Sequence, residues 1–425
     1  MRDFPSYNSE KIFITGENKL NGKVKISGAK NAALPLMALS LIINKDFTLF
    51  NVPDLADTRL MSSLLIDLGI NIDWKNGKVD FNGAPKKDEA SYDLVRKMRA
   101  SILVLGPLLA SRGSAKVPLP GGCAIGSRPI DLHVMVMETL GAKIYFDSGF
   151  IIGSLDTDGL RGGVINFPKV SVGATESAIM TAVLAKGQTK IINAAQEPEI
   201  TDLANCLNKA GADINGIGTN TIIINGVDHL NKVEYAVVSD RIEAGSFAIA
   251  SSLTMGNIEI DNVNPKNLDK FLKVLASTGS KVEVTENSIN VSASVRPKPF
   301  NIVTEPHPGF PTDLQAQYMA LMSIANGETF IKETIFENRF MHVPELMRMG
   351  AKISVNNEEA IVTGVRKLKG SKVMASDLRA SMCLILGALA ASGTSEIDGV
   401  FHLDRGYENL EDKLSNLGAN IKRSV

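Results

Sequence analysis

The segment METLGAKI, residues 137–144, has a helical apolar pattern that stops at Gly141 and passes directly into strand-forming residues. A glycine placed just after a helix typically adopts a left-handed backbone conformation that ends the helix. The same element recurs at intervals of about 70 residues, which is typical of tandem copies of one structural unit. The sequence therefore predicts six repeats. The other five copies are LIDLGINI (65–72), CLNKAGADI (206–214), VLASTGSKV (274–282), ELMRMGAKI (345–353) and KLSNLGANI (413–421).

A second repeated element is a helix rich in small and apolar residues, such as RIEAGSFAIASSL (241–253) or DLRASMCLILGALA (377–390). These helices are apolar on nearly every side, which predicts that they are buried. Short runs rich in β-branched or aromatic residues, such as TKIIN (189–193), predict strands after them. The expected fold class is α/β (α+β), and each repeat reads as buried helix, strand, outer helix, strand, strand.

The chain has 425 residues, whereas a single hydrophobic core seldom grows beyond about 250–300 residues. We therefore expect two domains of three repeats each, with a cleft between them.

Composition excludes several classes of function. The formal net charge is -1, which gives no electrostatic reason to expect nucleic acid or a membrane surface as a partner. The first residues, MRDFPSYNSEKIF, lack the apolar segment of a signal peptide, and the apolar stretch Ala100–Ala110 is too short to span a bilayer. We expect a soluble, cytoplasmic protein. The five histidines are scattered and no HExxH or CxxC occurs, so no protein-bound metal is expected.

The buried helices carry charged or polar residues at their N-terminal ends, and the outer helices add more. An acid at a helix start has an ordinary role as a cap, whereas a cation there opposes the helix dipole. Repeated cations suggest a shared anionic ligand, and the alternative for each is an ion pair with a neighbouring acid. The residues are Lys30, Asn31, Arg99, Asp240, Arg241, Asp313, Asp377 and Arg379, with Arg128, Glu197, Glu199, Arg339 and Arg405 at the outer helices.

One of the three cysteines, Cys123, lies in the glycine-rich stretch PLPGGCAIGSRPIDLH (118–133). Such a composition favours a loop that can close over a ligand, and the cation at Arg128 would favour the thiolate. Cys206 and Cys383 lie in apolar helical patterns and are interpreted as packing residues. No partner for nucleophilic proteolysis is evident, so acid–base work or covalent capture of an anionic substrate is the better interpretation of Cys123.

With these features in view, the chain resembles the UDP-N-acetylglucosamine enolpyruvyl transferases of the enolpyruvyl transferase family over about residues 11–423. The motifs that carry the resemblance are ISGAKNAALP (26–35), MRAS (98–101), PGGCAIGSRPIDLH (120–133), KVSVGAT (169–175), EPEI (197–200), DRIEAG (240–245), FPTDLQAQ (310–317), FENRFMHVPEL (336–346), DLRAS (377–381) and DRGYENLEDKL (404–414).

The resemblance implies a two-domain inside-out α/β barrel, or prism, with six βαβαββ-type units, three per domain. It places the first domain, which carries the cysteine loop, at residues 30–238. The second domain combines residues 1–29 with 239–425, and the active site is expected in the interdomain cleft.

The implied reaction transfers the enolpyruvyl group of phosphoenolpyruvate to the 3-hydroxyl of UDP-N-acetylglucosamine and releases phosphate, by addition and elimination. In bacteria this is the first committed step of peptidoglycan synthesis. By resemblance Cys123 is the acid that protonates the methylene carbon, and it can hold a covalent phosphoenolpyruvate adduct. Asp313 matches the position of the base, and Lys30 and Arg405 complete the catalytic set.

The resemblance also assigns substrate contacts, without a metal or cofactor and without an obligate protein partner. Departures from some relatives occur at Asp54, Ala56 and Leu103, away from the phosphate-binding set. The assigned contacts are Lys30, Asn31, Arg99, Arg128, Pro129, Ile130, Asp131, Leu132, His133, Lys169, Val170, Ser171, Val172, Asp240, Asp313, Ile335, Arg339, Asp377, Arg379 and Arg405.

Two alternatives remain open from the residues. One is a 5-enolpyruvylshikimate-3-phosphate synthase, which shares the fold and the donor but lacks the GGCAIGSR loop. The other is a non-catalytic homologue that binds UDP-sugars, and the retained Cys123, Asp313 and arginine set argue against it.

Overall fold

The computed structural model describes residues 10–120 and 130–424. These residues divide into two compact units. The central unit comprises residues 28–120 and 130–238, and the terminal unit comprises residues 10–27 and 239–424. Within the described residues, no helix is both long and apolar enough to cross a bilayer.

Each unit contains three sheets with one shared strand order. An outer strand pairs in parallel with its neighbour, and the next two pairings are antiparallel. One sheet of the central unit has three strands, and an isolated parallel bridge at Glu89 stands in its fourth position. In sheet order, the central unit's strands are Val233–Ala236, Phe47–Phe50, Lys78–Asn82 and Asn71–Lys75; Ser114–Pro118, Phe150–Ser154 and Lys143–Asp147; and Val164–Asn166, Gln188–Ile192, Thr221–Asn225 and Asp213–Asn215.

The sheets of the terminal unit follow the same order. The N-terminal strand Lys11–Thr15 lies between two strands from the far end of the chain, in the place that the last strand of a repeat occupies elsewhere. In sheet order, the strands are Lys372–Met374, Thr394–Asp398, Lys11–Thr15 and Asn420–Ser424; Asn21–Lys25, Asn257–Asp261, Ser288–Ser292 and Lys281–Val284; and Ile302–Val303, Glu328–Lys332, Glu359–Thr363 and Lys352–Asn356.

The helices are numbered in chain order. Short 3₁₀ segments lie at Leu39–Leu41, Arg99–Val104, Pro265–Leu268, Thr312–Leu314 and Val400–Arg405. The α-helices are α1 (Lys30–Ala38), α2 (Ala56–Asp67), α3 (Tyr92–Val95), α4 (Leu105–Arg112), α5 (Asp131–Thr139), α6 (Val172–Ala182), α7 (Pro198–Lys209), α8 (Arg241–Leu253), α9 (Asp269–Ser277), α10 (Gln315–Met322), α11 (Val343–Arg348), α12 (Leu378–Ala390) and α13 (Leu410–Asn416).

The predicted burial of the repeated apolar helices is confirmed. Helices α1, α4 and α6 contribute to the core of the central unit, and α8, α10 and α12 contribute to that of the terminal unit. All thirteen residues of α8 are buried. The outer helices add apolar residues to the same cores.

The glycines that end the outer helices have the predicted left-handed conformation. The φ angle is 97° at Gly141 and 92° at Gly350. The residue after each glycine donates its amide to the carbonyl five residues earlier, at 2.9 Å for Ala142 and 3.1 Å for Ala351. This is the Schellman arrangement, in which glycine carries no Cβ penalty. The sequence period therefore marks the physical end of one helix in every repeat.

Two glycines in equivalent core helices provide a matched test of packing. A Cβ at Gly106 in α4 would lie 2.0 Å from Thr181 Oγ1, whereas a Cβ at Gly387 in α12 would meet the Sδ of Met349 at 3.3 Å. Because the thioether can move and the buried hydroxyl is fixed by its own hydrogen bond to the Ser177 carbonyl, we expect Gly106→Ala to destabilise by about 1–3 kcal/mol. We expect Gly387→Ala to change stability by less than about 1 kcal/mol, since alanine also favours the helix. Urea unfolding of both variants checks this, and equal effects would contradict it.

Candidate functional site

A buried charge cluster lies in the terminal unit around Asp313, in the 3₁₀ segment that leads into α10. One carboxylate oxygen accepts a hydrogen bond from Arg339 Nη2 at 2.6 Å, and the other accepts one from Arg379 Nη2 at 2.7 Å. The arginine side chains are 4% and 7% exposed, while that of Asp313 is 26% exposed. A carboxylate has about four acceptor positions, and the two arginines each use one oxygen of Asp313.

The electrostatics of this cluster favour its charged form. Burial by itself would lower the pKa of the Arg379 guanidinium, but the charge of Asp313 and the hydrogen bond to it outweigh burial and raise that pKa. The ion-pair alternative raised for these cations is therefore what the structure shows for Arg339 and Arg379. The pairing does not remove a ligand role, because a cluster of two guanidinium groups and one carboxylate retains a net positive charge.

Three further side chains support Arg379 from the core. Tyr407 lies with its hydroxyl 3.5 Å from Arg379 Nη1 and 2.9 Å from Ser246 Oγ. The Gln317 amide donates to the Asp313 carbonyl at 2.9 Å and reaches the Tyr407 hydroxyl at 3.3 Å. Sequence reasoning missed these residues as supports, although Tyr407 and Gln317 stand inside the motifs DRGYENL and FPTDLQAQ.

The two acids at the starts of α8 and α12 are helix caps. Asp240 Oδ1 accepts from the amides of Ile242 and Glu243 at 2.8 and 3.0 Å. Asp377 Oδ1 accepts from the amides of Arg379 and Ala380 at 2.9 and 3.1 Å. The capping interpretation is therefore confirmed for both, and their contact with substrate stays a prediction.

Arg405 and Ile335 also belong to the terminal unit. Arg405 ends the 3₁₀ segment Val400–Arg405, where its charge adds to the effect of burial in lowering the pKa of His402. Ile335 follows the strand Glu328–Lys332, and its amide donates to Glu333 Oε1 at 2.9 Å. The role that these two residues share with Asp313 stays a prediction.

The central unit carries the predicted cations Lys30 and Arg99. Lys30 opens α1, and its ammonium lies 3.2 Å from Asp57 Oδ2, whose side chain is 6% exposed. Asn31 follows it in the first turn of α1. Arg99 begins the 3₁₀ segment Arg99–Val104. The ion-pair alternative is thus observed for Lys30, and Asp57 is a partner that sequence reasoning did not identify.

A polar site next to Arg99 brings two predicted segments together. His133 in α5 has its Nδ1 2.8 Å from the Ser177 hydroxyl of α6. Ser171 caps α6 by accepting from the amide of Ala174 at 3.4 Å. A Cβ at Gly173 would lie 3.4 Å from His133 Nε2, so the imidazole packs against the first turn of α6. Ile130, Asp131 and Leu132 precede His133 at the start of α5, and Lys169, Val170 and Val172 flank Ser171.

The pKa of His133 gives a pH-dependent expectation. Burial first, and then the charge of Arg99, lowers the pKa of His133 from 6.5 to about 4 against an opposing effect of Asp131. Between these values the unfolded chain binds a proton that the native chain does not, so stability falls as pH falls through this window. We expect this histidine to remove about 2 kcal/mol between pH 7 and pH 5. The free energy of unfolding, measured in urea at several pH values, should fall less steeply with pH in His133→Gln than in the wild type. His229→Gln, at an exposed site, is the control. An identical pH dependence in wild type and His133→Gln would contradict the expectation.

Cys123, Arg128 and Pro129 lie outside the described residues. The other two cysteines, Cys206 and Cys383, are fully buried, which agrees with their interpretation as packing residues. Burial raises the pKa of both thiols, so neither forms a thiolate readily. Among residues 10–120 and 130–424, no group of three or more histidine, cysteine or acidic side chains is arranged to hold a metal ion.

Solved structures share this fold. The enolpyruvyl transferase NikO from Streptomyces tendae superposes with a TM-score of 0.87 at 24% identity, covering 98% of this chain and 99% of that chain. An EPSP synthase from Acinetobacter baumannii superposes with a TM-score of 0.76 at 18% identity, covering 98% of this chain and 100% of that chain. The fold is therefore the two-domain α/β architecture of the enolpyruvyl transferases.

Sequence comparison refines this class. The family described as EPSP synthase (3-phosphoshikimate 1-carboxyvinyltransferase) matches residues 14–414. A protein of Zymomonas mobilis named UDP-N-acetylglucosamine 1-carboxyvinyltransferase is 50% identical over 422 residues, which is 97% of this chain and 99% of that protein. One of Acinetobacter guillouiae with the same name is 51% identical over 416 residues, again 97% and 99%. The chain belongs to the enolpyruvyl transferase family, in the branch of the UDP-N-acetylglucosamine 1-carboxyvinyltransferases.

Proposed function

We propose that this protein is a transferase that moves the enolpyruvyl group of phosphoenolpyruvate to the 3-hydroxyl of UDP-N-acetylglucosamine and releases phosphate. The observation that carries the proposal is the identity of about half of all residues, over 97% of the chain, to proteins named for this reaction. The reaction supplies a precursor of bacterial peptidoglycan, which links the protein to cell wall biogenesis and through it to cell shape, the cell cycle and cell division.

The proposed reaction needs an acid that protonates phosphoenolpyruvate and a base that deprotonates the hydroxyl of the UDP-sugar. In the proposed addition step, the Cys123 thiol gives its proton to the methylene carbon of phosphoenolpyruvate, while Asp313 takes the proton of the sugar hydroxyl. The hydroxyl oxygen then bonds to the central carbon and forms a tetrahedral intermediate. In the proposed elimination step, the Cys123 thiolate takes back one proton of the methyl group, the phosphate leaves with the bonding electron pair and accepts the proton held by Asp313, and the double bond returns.

The geometry around Asp313 supports its part in this scheme. Arg339 and Arg379 fix both carboxylate oxygens, so the group is oriented before substrate binds. The buried guanidinium groups also supply positive charge where phosphate and carboxylate charges must be held. Lys30, Arg128 and Arg405 are proposed to hold phosphoenolpyruvate.

The nucleotide-sugar is proposed to contact Asn31, Arg99, the start of α5 and the residues at the start of α6. His133, held neutral by burial, can offer Nε2 to a ligand as donor or acceptor according to tautomer, since Nδ1 is engaged with Ser177. The scheme uses side chains for every proton transfer, and we propose no metal or cofactor. The cytoplasm, where both small-molecule substrates are made, is the proposed location.

The deciding experiment measures phosphate release from phosphoenolpyruvate with UDP-N-acetylglucosamine, with shikimate 3-phosphate, or with neither. Release that requires the UDP-sugar supports the proposal. Release with shikimate 3-phosphate alone would establish the synthase alternative. Tight binding of the UDP-sugar without any phosphate release would establish a non-catalytic binding protein.

A further inference from the structure

A buried carboxylate to which the proposed transfer reaction assigns no role lies in the terminal unit. Glu333 follows the strand Glu328–Lys332 and is only 1% exposed. Its main chain is held in place, because its amide donates to the Glu358 carbonyl at 2.8 Å. A charged side chain is costly to bury unless hydrogen bonds satisfy it. The donors that satisfy Glu333 therefore show which parts of the chain it holds.

Three donors converge on this carboxylate. Oε1 accepts from the amide of Ile335 at 2.9 Å and from the amide of Phe336 at 3.2 Å. Oε2 accepts from the Thr312 hydroxyl at 2.9 Å. Both oxygens are thus engaged, and an ionised carboxylate is a side chain that offers only acceptors. Glu333 therefore joins the segment that follows it to the residue just before Asp313, although Thr312 and Glu333 are 21 residues apart in sequence.

The contacts around Glu333 form a closed circuit. Phe336, which Glu333 holds by its amide, has the Arg339 guanidinium over its aromatic ring, 5.4 Å from the centroid. Arg339 Nη2 donates to Asp313 Oδ1 at 2.6 Å and reaches the Thr312 carbonyl at 3.4 Å. Thr312 then returns to Glu333 through its hydroxyl. Asp313 is consequently fixed from two directions, since Arg339 holds its carboxylate and Glu333 holds the residue that precedes it.

The members of this circuit differ in burial. Glu333 is 1% exposed and the Arg339 side chain is 4% exposed, whereas the Asp313 side chain is 26% exposed. The supporting groups are therefore enclosed in the unit, and the carboxylate that they orient is partly open to solvent. A base held by enclosed groups is oriented in advance and needs little reorganisation when the substrate arrives.

We propose that Glu333 is a positioning residue for the transfer reaction, which holds the segment of the proposed base and the predicted UDP-sugar contact Ile335 in one geometry. This inference rests on the proposed function, because it takes Asp313 as the base. Glu333 acts through the Thr312 hydroxyl and through the two amides that it binds, and it does not itself touch a substrate. A misplacement of about 1 Å can cost about 10²-fold in rate, so the loss of one hydrogen bond in this circuit is expected to slow the chemical step.

The test removes one hydrogen bond of the circuit and keeps the side-chain shape. Thr312→Val cannot donate to Glu333 Oε2, and Glu333→Gln leaves one acceptor oxygen in place of two. Thr329→Val is the matched control, because Thr329 is fully buried in the same unit and its hydroxyl has no hydrogen-bond partner among the residues that the structure describes. Single-turnover phosphate release, with phosphoenolpyruvate and UDP-N-acetylglucosamine saturating, measures the chemical step. Steady-state assays give the KM values, and urea unfolding verifies that each variant is folded.

We expect Thr312→Val and Glu333→Gln each to slow phosphate release about tenfold, equivalent to about 1.4 kcal/mol. The KM for phosphoenolpyruvate should stay near that of the wild type, because the residues proposed to hold this substrate are unchanged. The double variant should be no slower than the slower single variant, since both changes break one contact, and Thr329→Val should keep the wild-type rate. A wild-type rate in Thr312→Val, an equal loss in Thr329→Val, or two losses that multiply in the double variant would overturn the inference. No phosphate release by the wild type would instead overturn the proposed function.

Discussion

Replacement of Cys123 by serine is expected to abolish most of the transfer activity. A serine hydroxyl is a far weaker acid than a thiol, so the protonation of phosphoenolpyruvate loses a contribution of about 10²–10⁴-fold. The same variant should resist fosfomycin, the epoxide antibiotic that the cysteine of this family takes up. Phosphate release and mass-spectrometric detection of the fosfomycin adduct measure the two effects.

The buried cysteines provide the control for this experiment. Cys206 and Cys383 are fully buried, and burial raises the pKa of both thiols, so neither should react with an epoxide. Cys206→Ala should therefore keep both activity and alkylation. Alkylation that persists in Cys123→Ser would place the reactive thiol elsewhere, and near-normal activity in that variant would remove Cys123 from the mechanism.

The second large effect is expected for Asp313→Asn. The amide cannot accept the hydroxyl proton, so the turnover number should fall by about 10²–10⁴-fold. The substitution also leaves Arg339 and Arg379 buried without their shared counter-charge. Breaking a buried ion pair is costly, and because Asp313 is partly exposed we expect a loss of about 2 kcal/mol. Turnover assays and urea unfolding measure the two losses.

An exposed aspartate–arginine ion pair provides the control for the loss of an aspartate charge away from the proposed chemistry. Asp54 binds Arg59 through two hydrogen bonds of 2.6 and 2.8 Å, and these side chains are 55% and 46% exposed. Asp54→Asn should change stability by less than about 1 kcal/mol, because surface pairs are screened by solvent. Its activity should stay near that of the wild type. A normal turnover number in Asp313→Asn would exclude Asp313 as the base.

Much of the fold could be predicted because its signals are local. The glycine that ends each outer helix and the all-round apolar core helix are properties of a few consecutive residues, so the six repeats and their element order follow from them. Pairing between distant strands carries no comparable signal. The N-terminal strand Lys11–Thr15 completes the sixth repeat between Thr394–Asp398 and Asn420–Ser424, which no local pattern indicates.

The sequence allowed the charged residues of the candidate site to be predicted, but not the side chains that form ion pairs and hydrogen bonds with them. Cations at helix starts stand out in a sequence because they oppose the dipole. Their counter-ions do not, because Asp57 looks like an ordinary polar residue near a helix start, and no local pattern indicates that Asp313 pairs with Arg339 and Arg379. The support of Arg379 by Tyr407 is also non-local, since the two residues lie on different elements and meet only through packing in the core.

The sequence by itself determined the repeat, the end of each outer helix, the core helices and the charged residue types, since these depend on backbone conformation and side-chain chemistry within one segment. The tertiary structure alone decided which distant strands pair within each unit. Val233–Ala236 joins Phe47–Phe50 in the central unit, and Asn21–Lys25 joins Asn257–Asp261 in the terminal unit. The reason is that a strand satisfies its backbone hydrogen bonds with any partner of suitable length. The strand partner that forms is the one that lets each unit bury its complete apolar core.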